Sequence, residues 1–332
     1  SIMKPQIQFI GITPQQTRHF LHFTDFADDY IKKIEKGETY TDKKVRYSQS
    51  AIKNYKVATN HYKDFEILLK QRTKTIEINH TFLQAYERYL ISKKLALNTV
   101  SEFVSKIKAM ANVLVGNNII SVSFRSIKTR TEQTTQVYLT ETELKKMKSA
   151  KLTNSEAKVL DVFLIACFTG LRFSVLQKFM GNPLAYIKDH EGIAYIDIVS
   201  DKTGEQSIIP MHKEVKRILG DYLGDLPKYS EQYVRSTIKT IAKKAEIDQP
   251  IPKRITKGGA MVEELVPKWS LVSSHTGRRS FVSNISKYVH DKNAIMAMSG
   301  HTSEKQLSNY NRAEKLDKVL PAFNNEFFNK TI

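Results

Sequence analysis

Five residues in the C-terminal half of the sequence have types and spacings that could act together on a phosphate group. They fall in three short strings: Arg172 ends a Thr-Gly-Leu-Arg string, His275 and Arg278 are three apart, and His301 follows a glycine and precedes Tyr310 by nine residues. Arginine can clamp phosphate oxygens with two parallel hydrogen bonds. Histidine transfers protons near neutral pH. A tyrosine hydroxyl becomes a nucleophile when a base and positive charge offset its pKa of about 10.

A lysine accompanies this set in a predicted β-hairpin. Residues 194–198 alternate like a strand, the turn signal Asp-Lys-Thr-Gly at 201–204 contains Lys202, and 206–211 read as the returning strand. At the tip of a hairpin, Lys202 could reach a bound substrate. An ordinary turn lysine is the alternative, and Lys213 or Lys216 could be mistaken for it.

Each candidate has an ordinary structural explanation when taken alone. Arg172 could cap a helix C-terminus, and a lone tyrosine is usually a core or interface residue. The order and spacing of the whole set carry the argument, and Tyr310 is the only tyrosine after His301. His212 and Tyr288 lie outside the pattern. Arg279, beside Arg278, is expected to be structural or to contact a DNA backbone.

The elements that must position these residues form a mixed domain. A capping box at 140–143 opens it, and an apolar helix over 156–169 ends at Gly170. Further helices are predicted near 213–223, 232–245, 277–290, 291–298 and 303–309, and a second hairpin is predicted around the Gly-Gly pair at 258–259.

The preceding part of the chain is predicted to be a bundle of about four helices. Apolar residues recur there at three- and four-residue steps, in segments that begin near Phe20, Ser48 or Ser50, Asn79 and Asn98. The polar stretch 126–136 has no apolar period and reads as a basic linker. The predicted organisation is a helical domain over 1–125, a linker over 126–136 and a mixed domain over 137–332, an α+β class that is mainly helical.

The charge points to a polyanionic partner. The chain has 332 residues, a net charge of +18 and a pI near 9.6. Residues 1–136 contain 22 basic and 12 acidic side chains, so the excess is not confined to one part. Nucleic acid is the natural inference. For any single lysine, a solvated helix face remains the alternative. The candidate DNA contacts are Lys53, Lys56, Lys106, Lys128, Arg130 and Arg279.

Other classes of protein are disfavoured. The single cysteine, Cys167, lies in an apolar run, so neither a disulfide framework nor a thiolate zinc site is expected. A reducing, cytoplasmic setting fits this usage. No apolar run approaches the ~18 residues of a membrane span, so no membrane partner is expected.

The ordered set Arg, Lys in a hairpin, His-x-x-Arg, Gly-His and Tyr resembles the signature of the tyrosine recombinases, which include phage integrases and the Xer and Cre recombinases. The likeness is detailed over about 137–312 and covers the N-terminal helices in outline, as a core-binding domain. In style the sequence is closest to integrases of conjugative or mobilizable transposons. The resemblance implies two domains that form a C-shaped clamp on DNA, with the mixed domain catalytic.

The resemblance also implies the reaction and a role for each residue. Tyr310 would attack a phosphodiester and form a 3′-phosphotyrosyl link, so that strands of a mobile element are rejoined without ATP. Lys202 would protonate the leaving 5′ oxygen, His275 would accept the tyrosine proton, and His301 would hydrogen-bond the phosphate. Arg172 and Arg278 would supply the charge that a metal otherwise brings, so no metal or other cofactor is expected.

The implied partners are double-stranded DNA at specific sites, a DNA-dependent homotetramer and accessory DNA-bending or directionality proteins. The setting would be a bacterial cytoplasm, at the nucleoid during the reaction. The apolar tail after Tyr310 either covers its own core or docks on a neighbouring protomer. Many transposon integrases carry an arm-binding domain before the helical domain, and we see no room for one in this sequence.

One position departs from the family pattern. Relatives often have an acidic residue three after the first arginine, where it supports the site, and this chain has Val175. The departure raises the question of how Arg172 is held. Assembly of the site only on DNA, or on contact with a neighbour, is one answer.

Three other functions remain open at this level. A type IB topoisomerase shares the fold and the tyrosine chemistry. A non-catalytic DNA-binding protein could use the same fold, although the intact residue set argues against it. A tyrosine-linked relaxase or nuclease generally needs a histidine cluster and a metal, and these histidines do not cluster in that way.

Overall fold

The chain divides into two compact units. The computed structural model describes residues 21–41, 44–122, 124, 127–201 and 203–310. The first unit contains the described residues up to Thr134 and the segment Arg254–Glu263. The second contains Thr135–Lys253 and the described residues from Glu264 onward. The separation falls inside the predicted linker, but the sequence did not indicate that part of the second hairpin groups with the helices.

The described residues of the first unit form four α-helices, in agreement with the apolar periodicity of the sequence. They are α1 (Phe23–Lys36), α2 (Gln49–Leu69), α3 (His80–Ser92) and α4 (Leu97–Gly116). Ser48 caps α2 by accepting from the amide of Ala51 at 3.2 Å. Asn79 caps α3 in the same way. These caps satisfy amides that a helix start otherwise leaves without acceptors.

Aromatic rings fill the core of the first unit. Phe23, Phe26, Tyr62 and Tyr86 are fully buried, and the Tyr62 ring lies 5.1 Å from those of Phe23 and Tyr86. Burial of such a side chain contributes roughly 1.5–3 kcal/mol to folding. The Tyr86 hydroxyl donates to the carbonyl of Ala58 at 3.1 Å, so its polar end is also satisfied.

The predicted linker is bound along α4. The side-chain amide of Asn98 donates to the carbonyl of Glu132 and its oxygen accepts from the Glu132 amide, both at 3.0 Å. Ser101 donates to the carbonyl of Arg130, and Lys108 donates to that of Ile127 at 2.6 Å. Asn98 therefore binds the linker instead of capping α4, which begins after Ala96 without a side-chain cap.

The described residues of the second unit form eight α-helices. They are α5 (Glu141–Ser149), α6 (Asn154–Thr169), α7 (Phe173–Gly181), α8 (Lys213–Asp221), α9 (Glu231–Lys244), α10 (Ser274–Ile285), α11 (Lys292–Ser299) and α12 (Glu304–Tyr310). Capping boxes start α5, from Thr140 and Glu143, and α6, from Thr153 and Glu156. The sequence did not predict α7, since it is short and Arg172 precedes it without a capping side chain.

Two β-structures complete the described chain. Strands β1 (Ile187–His190), β2 (Ile193–Val199) and β3 (Gln206–Pro210) form an antiparallel sheet in that order. Strands β4 (Pro250–Lys257) and β5 (Ala260–Pro267) pair as the second hairpin, as predicted. The sequence did not indicate β1, because only one of its four residues is apolar.

Helix α6 lies at the centre of the second unit. It packs against α10, α9 and α8, and nine of its sixteen residues are buried. Gly277 on α10 faces Ala166 on α6 so closely that an added Cβ would lie 2.8 Å from the Ala166 methyl group. This close approach fixes α10, which carries His275 and Arg278, against the core helix.

No single helix in the described part of the chain is long and apolar enough to cross a membrane. Helices α6 and α7 satisfy the length and composition test only as a pair, and a bend of 111° separates them.

Candidate active site

A left-handed glycine places Arg172. Gly170 ends α6 with φ of 68°, and a Cβ there would lie 2.4 Å from the Phe281 ring, so only glycine fits. The chain then turns into α7 with Arg172 at the turn. Its guanidinium donates to the carbonyl of Gly300 at 3.3 Å and to the carboxylate of Glu205 at 3.2 Å.

Arg278 is the most enclosed charged group of the site. Its side chain is 2% exposed, and its Nη1 donates to the carbonyls of Gly170, at 2.7 Å, and Ser299. Burial and then the charge of Arg172 lower the pKa of Arg278 to about 10, while Tyr310 and Glu205 raise it. The guanidinium thus stays charged at neutral pH and is oriented by backbone carbonyls from two separate segments.

Hydrogen bonds around His301 define its tautomer. The Ser299 hydroxyl donates to the carbonyl of Ile295 at 2.6 Å, so its oxygen accepts from His301 Nδ1 at 2.7 Å. The Arg278 Nη2 is only a donor, so His301 Nε2 accepts from it at 3.1 Å. Only the neutral ring with its proton on Nδ1 satisfies both contacts.

The electrostatics agree with a neutral ring. Burial, followed by the charges of Arg278 and Arg172, lowers the pKa of His301 to about 3. In this tautomer Nε2 has no proton to offer a phosphate oxygen. The predicted hydrogen bond from His301 to the phosphate therefore requires a proton on Nε2, and Arg278 Nη2 must then release that nitrogen.

His275 begins α10 beside the arginines and is exposed at the surface. Partial desolvation of its imidazole lowers its pKa, and the charges of Arg279, Arg278 and Arg172 lower it further, while Glu231 opposes them. A neutral imidazole at pH 7 has a free lone pair, which is the form that a general base needs.

Tyr310 ends α12 next to this cluster. Its ring centroid lies 4.7 Å from that of His301 and 5.2 Å from the guanidinium carbon of Arg278. Arg279 lies 5.9 Å from the same ring, so it too borders the site. Two guanidinium groups therefore lie next to the phenol ring.

The structure thus brings together five of the six predicted catalytic residues. Lys202 lies outside the described residues, as does the apolar tail after Tyr310. His212 lies elsewhere: its ring stacks on that of Phe168 at 4.1 Å, and its Nδ1 accepts from the amide of Glu214 at the start of α8.

Two contributors were not predicted from the sequence. Glu205 is the third residue after Lys202, and Ser299 directly precedes the Gly-His pair at 300–301. The second residue was a readable signal, because a hydroxyl two residues before a histidine can reach its ring. The first was not, since 33 residues separate Glu205 from Arg172.

The basic residues predicted to contact DNA differ in exposure and in whether an acidic side chain pairs with them. Lys53 and Lys128 are exposed, and Lys106 lies over the Tyr55 ring with its Nζ 4.9 Å from the centroid. Lys56 pairs with Glu35 at 2.5 Å and Arg130 with Glu87 at 3.2 Å. An acidic partner offsets the attraction of a cation to phosphate, so Lys56 and Arg130 are the weaker candidates.

Known proteins are similar to this chain in part of its sequence and in its fold. Residues 22–130 match the family described as phage integrase SAM-like domain. The fold is similar to a lambda integrase (75–356) dimer bound to a COC′ core site, with 16% identity, a TM-score of 0.64, and 88% of this chain and 96% of that chain covered. No curated protein matches the sequence.

Two further solved structures are similar. One is the XerH site-specific recombinase bound to a palindromic difH substrate, with 13% identity, a TM-score of 0.62, and 90% of this chain and 85% of that chain covered. The other is the Tn1549 transposon integrase (82–397) with circular intermediate DNA, with 14% identity, a TM-score of 0.60, and coverages of 91% and 99%. Residues 22–130 are therefore similar to the phage integrase SAM-like domain, and the chain as a whole has the fold of these recombinase structures.

Proposed function

We propose that this protein is a site-specific DNA recombinase that integrates or excises a mobile element through a tyrosine nucleophile. The observation that carries the proposal is the Tyr310 ring, which lies 4.7 Å from His301 and beside the Arg278 guanidinium. A buried arginine, a second arginine, two neutral histidines and a tyrosine in one place match the needs of phosphoryl transfer.

In the proposed reaction the Tyr310 oxygen attacks the scissile phosphorus and the bond to the 5′ oxygen breaks. The proton of the phenol passes to His275, and Lys202 protonates the leaving oxygen. Arg172 and Arg278 stabilise the charge that develops on the non-bridging oxygens. The Nε of Arg278 is buried without an acceptor among the described residues, so the site holds an unused guanidinium donor. The 3′-phosphotyrosyl bond retains the energy of the phosphodiester, and the arginines take the electrostatic role of a metal.

The proposed substrate is double-stranded DNA held by both basic units. The similar solved structures include a lambda integrase tetramer bound to a Holliday junction, and two duplexes cut on both strands require four nucleophiles. We therefore propose a DNA-dependent homotetramer, helped by accessory DNA-bending or directionality proteins, that acts at the nucleoid in a bacterial cytoplasm.

Covalent capture tests the proposal and identifies the substrate. The protein is incubated with a library of randomised nicked duplexes, in which loss of a short fragment traps the covalent intermediate. Adducts that survive detergent are then isolated and sequenced. We expect one recurring sequence with protein attached to the 3′ phosphate. The recovered duplex is the substrate for the experiments below.

Matched tyrosine variants locate the nucleophile. Tyr310→Phe should abolish the adduct and keep DNA binding. Tyr288→Phe, which alters an exposed tyrosine of the same unit that bonds to Glu141, should keep both. An adduct from Tyr310→Phe would contradict the assignment. Relaxation of plasmids that lack the recovered sequence, without exchange between two copies of it, would indicate the topoisomerase alternative.

A further inference from the structure

We infer that Glu205 is a positioning residue that holds Arg172 and takes over the part of the acidic residue expected at Val175. The inference rests on the proposed function, because the role concerns strand cleavage. It would identify which side chain of this chain performs the task that the sequence left unassigned.

Position 175 offers no polar support to Arg172. Val175 lies in the first turn of α7 and is 6% exposed, within the apolar core of the second unit together with Leu176 and Phe179. A valine neither accepts a hydrogen bond nor carries charge, so another group must orient the guanidinium.

Glu205 reaches the guanidinium from a different element. Its carboxylate lies 3.2 Å from Arg172 Nη1, while Nη2 donates to the carbonyl of Gly300. Two acceptors on different nitrogens fix the plane of the guanidinium. Of its five N–H donors, the described residues occupy two, which leaves donors for a phosphate. Both side chains are about three-quarters buried, at 28% and 23% exposed, so water screens the pair only partly.

The carboxylate also offsets repulsion between the two arginines. The charge of Arg172 lowers the pKa of the buried Arg278, and the charge of Glu205 raises it. Removing Glu205 would leave two neighbouring guanidinium groups with less compensation. Arg172 is the more exposed of the two, so it would be expected to turn away from the site.

Glu205 ties Arg172 to the hairpin that contains Lys202. Its carbonyl accepts from the amide of Ser200 at 2.9 Å across the turn between β2 and β3. On the other side of this turn, Lys178 of α7 pairs with Asp201 and donates to the carbonyl of Val199. Contacts from both ends of α7 therefore hold the two sides of this turn, so Glu205 couples Arg172 to the β2–β3 hairpin.

If Glu205 instead hindered phosphate binding, its removal would change the cleavage rate in the opposite direction. A carboxylate in an anion site could compete with the scissile phosphate, and its removal would then speed cleavage or tighten binding. A positioning carboxylate gives the reverse: slower cleavage with little change in DNA affinity, since one misplaced arginine affects the transition state more than the ground state.

The experiment measures single-turnover cleavage of the recovered nicked duplex at saturating protein, with DNA affinity from fluorescence anisotropy. We expect Glu205→Gln to slow cleavage by on the order of 10- to 100-fold, the scale of a small misplacement in a catalytic site, with an unchanged Kd. Glu205→Asp should recover part of the rate. In an Arg172→Lys background, Glu205→Gln should add little further loss, because interacting residues are not additive.

Asp197→Asn is the matched control. Asp197 is a carboxylate of the same sheet, 15% exposed, and it binds Lys188 and Gln206 instead of an arginine, so its variant should cleave at the wild-type rate. If Glu205→Gln fails to melt cooperatively, Glu205→Asp decides, since its shorter carboxylate should still slow cleavage by about 3-fold or more.

The two proposals fail in different ways. Wild-type rates from both Glu205 variants, or faster cleavage from Glu205→Gln, would overturn the positioning role alone. A wild-type protein that forms no Tyr310-dependent adduct would overturn the proposed function and this inference together.

Discussion

Backbone carbonyls, more than charged partners, orient the central arginine of this site. Arg278 donates to Gly170 and Ser299 before any substrate is present, so no rearrangement of its backbone acceptors is needed when a phosphate enters. Preorganised donors of this kind lower the cost of reaching a charged transition state. Arg172, which is more exposed than Arg278, is the one that depends on a side chain, that of Glu205.

Removal of the Ser299 hydroxyl tests whether it fixes the tautomer of His301. In Ser299→Ala the Nδ1 proton of His301 loses its acceptor, so the tautomer that the wild type favours is no longer fixed. We expect long-range ¹H–¹⁵N spectra of the nine histidines to show a ring that shifts from Nδ1–H towards Nε2–H, with His301→Gln identifying the signal. The buried unpaired donor should lower the free energy of unfolding by about 1–3 kcal/mol.

Ser286→Ala is the control for that experiment. Its hydroxyl donates to the carbonyl four residues earlier, as that of Ser299 does, but Ser286 follows α10 and does not belong to the Ser-Gly-His segment at 299–301. Its spectrum should keep the wild-type His301 signal. An unchanged His301 tautomer in Ser299→Ala would show that Arg278 alone sets the protonation of the ring.

The site residues that could be predicted from the sequence are those that belong to short local motifs. Arg172, His275, Arg278, His301 and Tyr310 belong to local strings with characteristic spacing, so they could be predicted. Glu205 acts through a contact between distant segments, which no local pattern encodes. The tautomer of His301 depends on the Ser299 hydroxyl, its acceptor Ile295 and the Arg278 donor. It can therefore be assigned only from the three-dimensional structure.

At the scale of elements, one close helix contact sets the geometry of the site. Helix α10 carries His275 and Arg278, and Gly277 between them lies against α6 where a Cβ would come within 2.8 Å of Ala166. Between His275 and Arg278 the family pattern allows any residue, so packing, not chemistry, explains this glycine. It lets the two catalytic side chains approach Gly170 at the end of α6.

Gly277→Ala should therefore slow DNA cleavage by displacing the helix that carries Arg278. The added methyl group must push α10 away from α6, which costs about 1–3 kcal/mol and withdraws Arg278 from Gly170. We expect a lower melting temperature and a cleavage rate reduced by on the order of 10-fold or more on the recovered duplex. Gly220→Ala in α8, where nothing lies within 4 Å of the new Cβ, should be neutral or stabilising. Wild-type cleavage by Gly277→Ala would show that the contact does not position Arg278.

The elements that the sequence did not predict have a common cause. Helix α7 spans only nine residues, so its helical spacing of apolar residues covers little more than two turns, and strand β1 has one apolar residue among four. Neighbours specify them instead: β1 pairs with β2 along four positions, and Lys178 near the end of α7 is fixed by the turn after β2. The long helices could be predicted because their periodicity spans several turns.

At the scale of the whole molecule, positive charge is distributed over both units. The first part of the segment that joins them is hydrogen-bonded to the first unit. Residues 127–132 are hydrogen-bonded along α4, although their polar composition resembles a flexible linker. A bound connection keeps Lys128 at a fixed place on the first unit. The basic excess is therefore presented by ordered structure in the described part of that unit.

This distribution predicts that DNA affinity falls steeply with salt and that individual lysines contribute unequally to the slope. Each neutralised phosphate contributes about −0.9 to the slope of log affinity against log salt. Lys53→Ala, at an exposed lysine, should reduce the steepness by about 1. Lys56→Ala should reduce it less, because Glu35 already pairs with that lysine at 2.5 Å. Anisotropy titrations of the recovered duplex between about 50 and 400 mM KCl measure these slopes. A nearly flat response of the wild type would contradict DNA held by both units, and equal slopes for Lys53→Ala and the wild type would remove Lys53 from the interface.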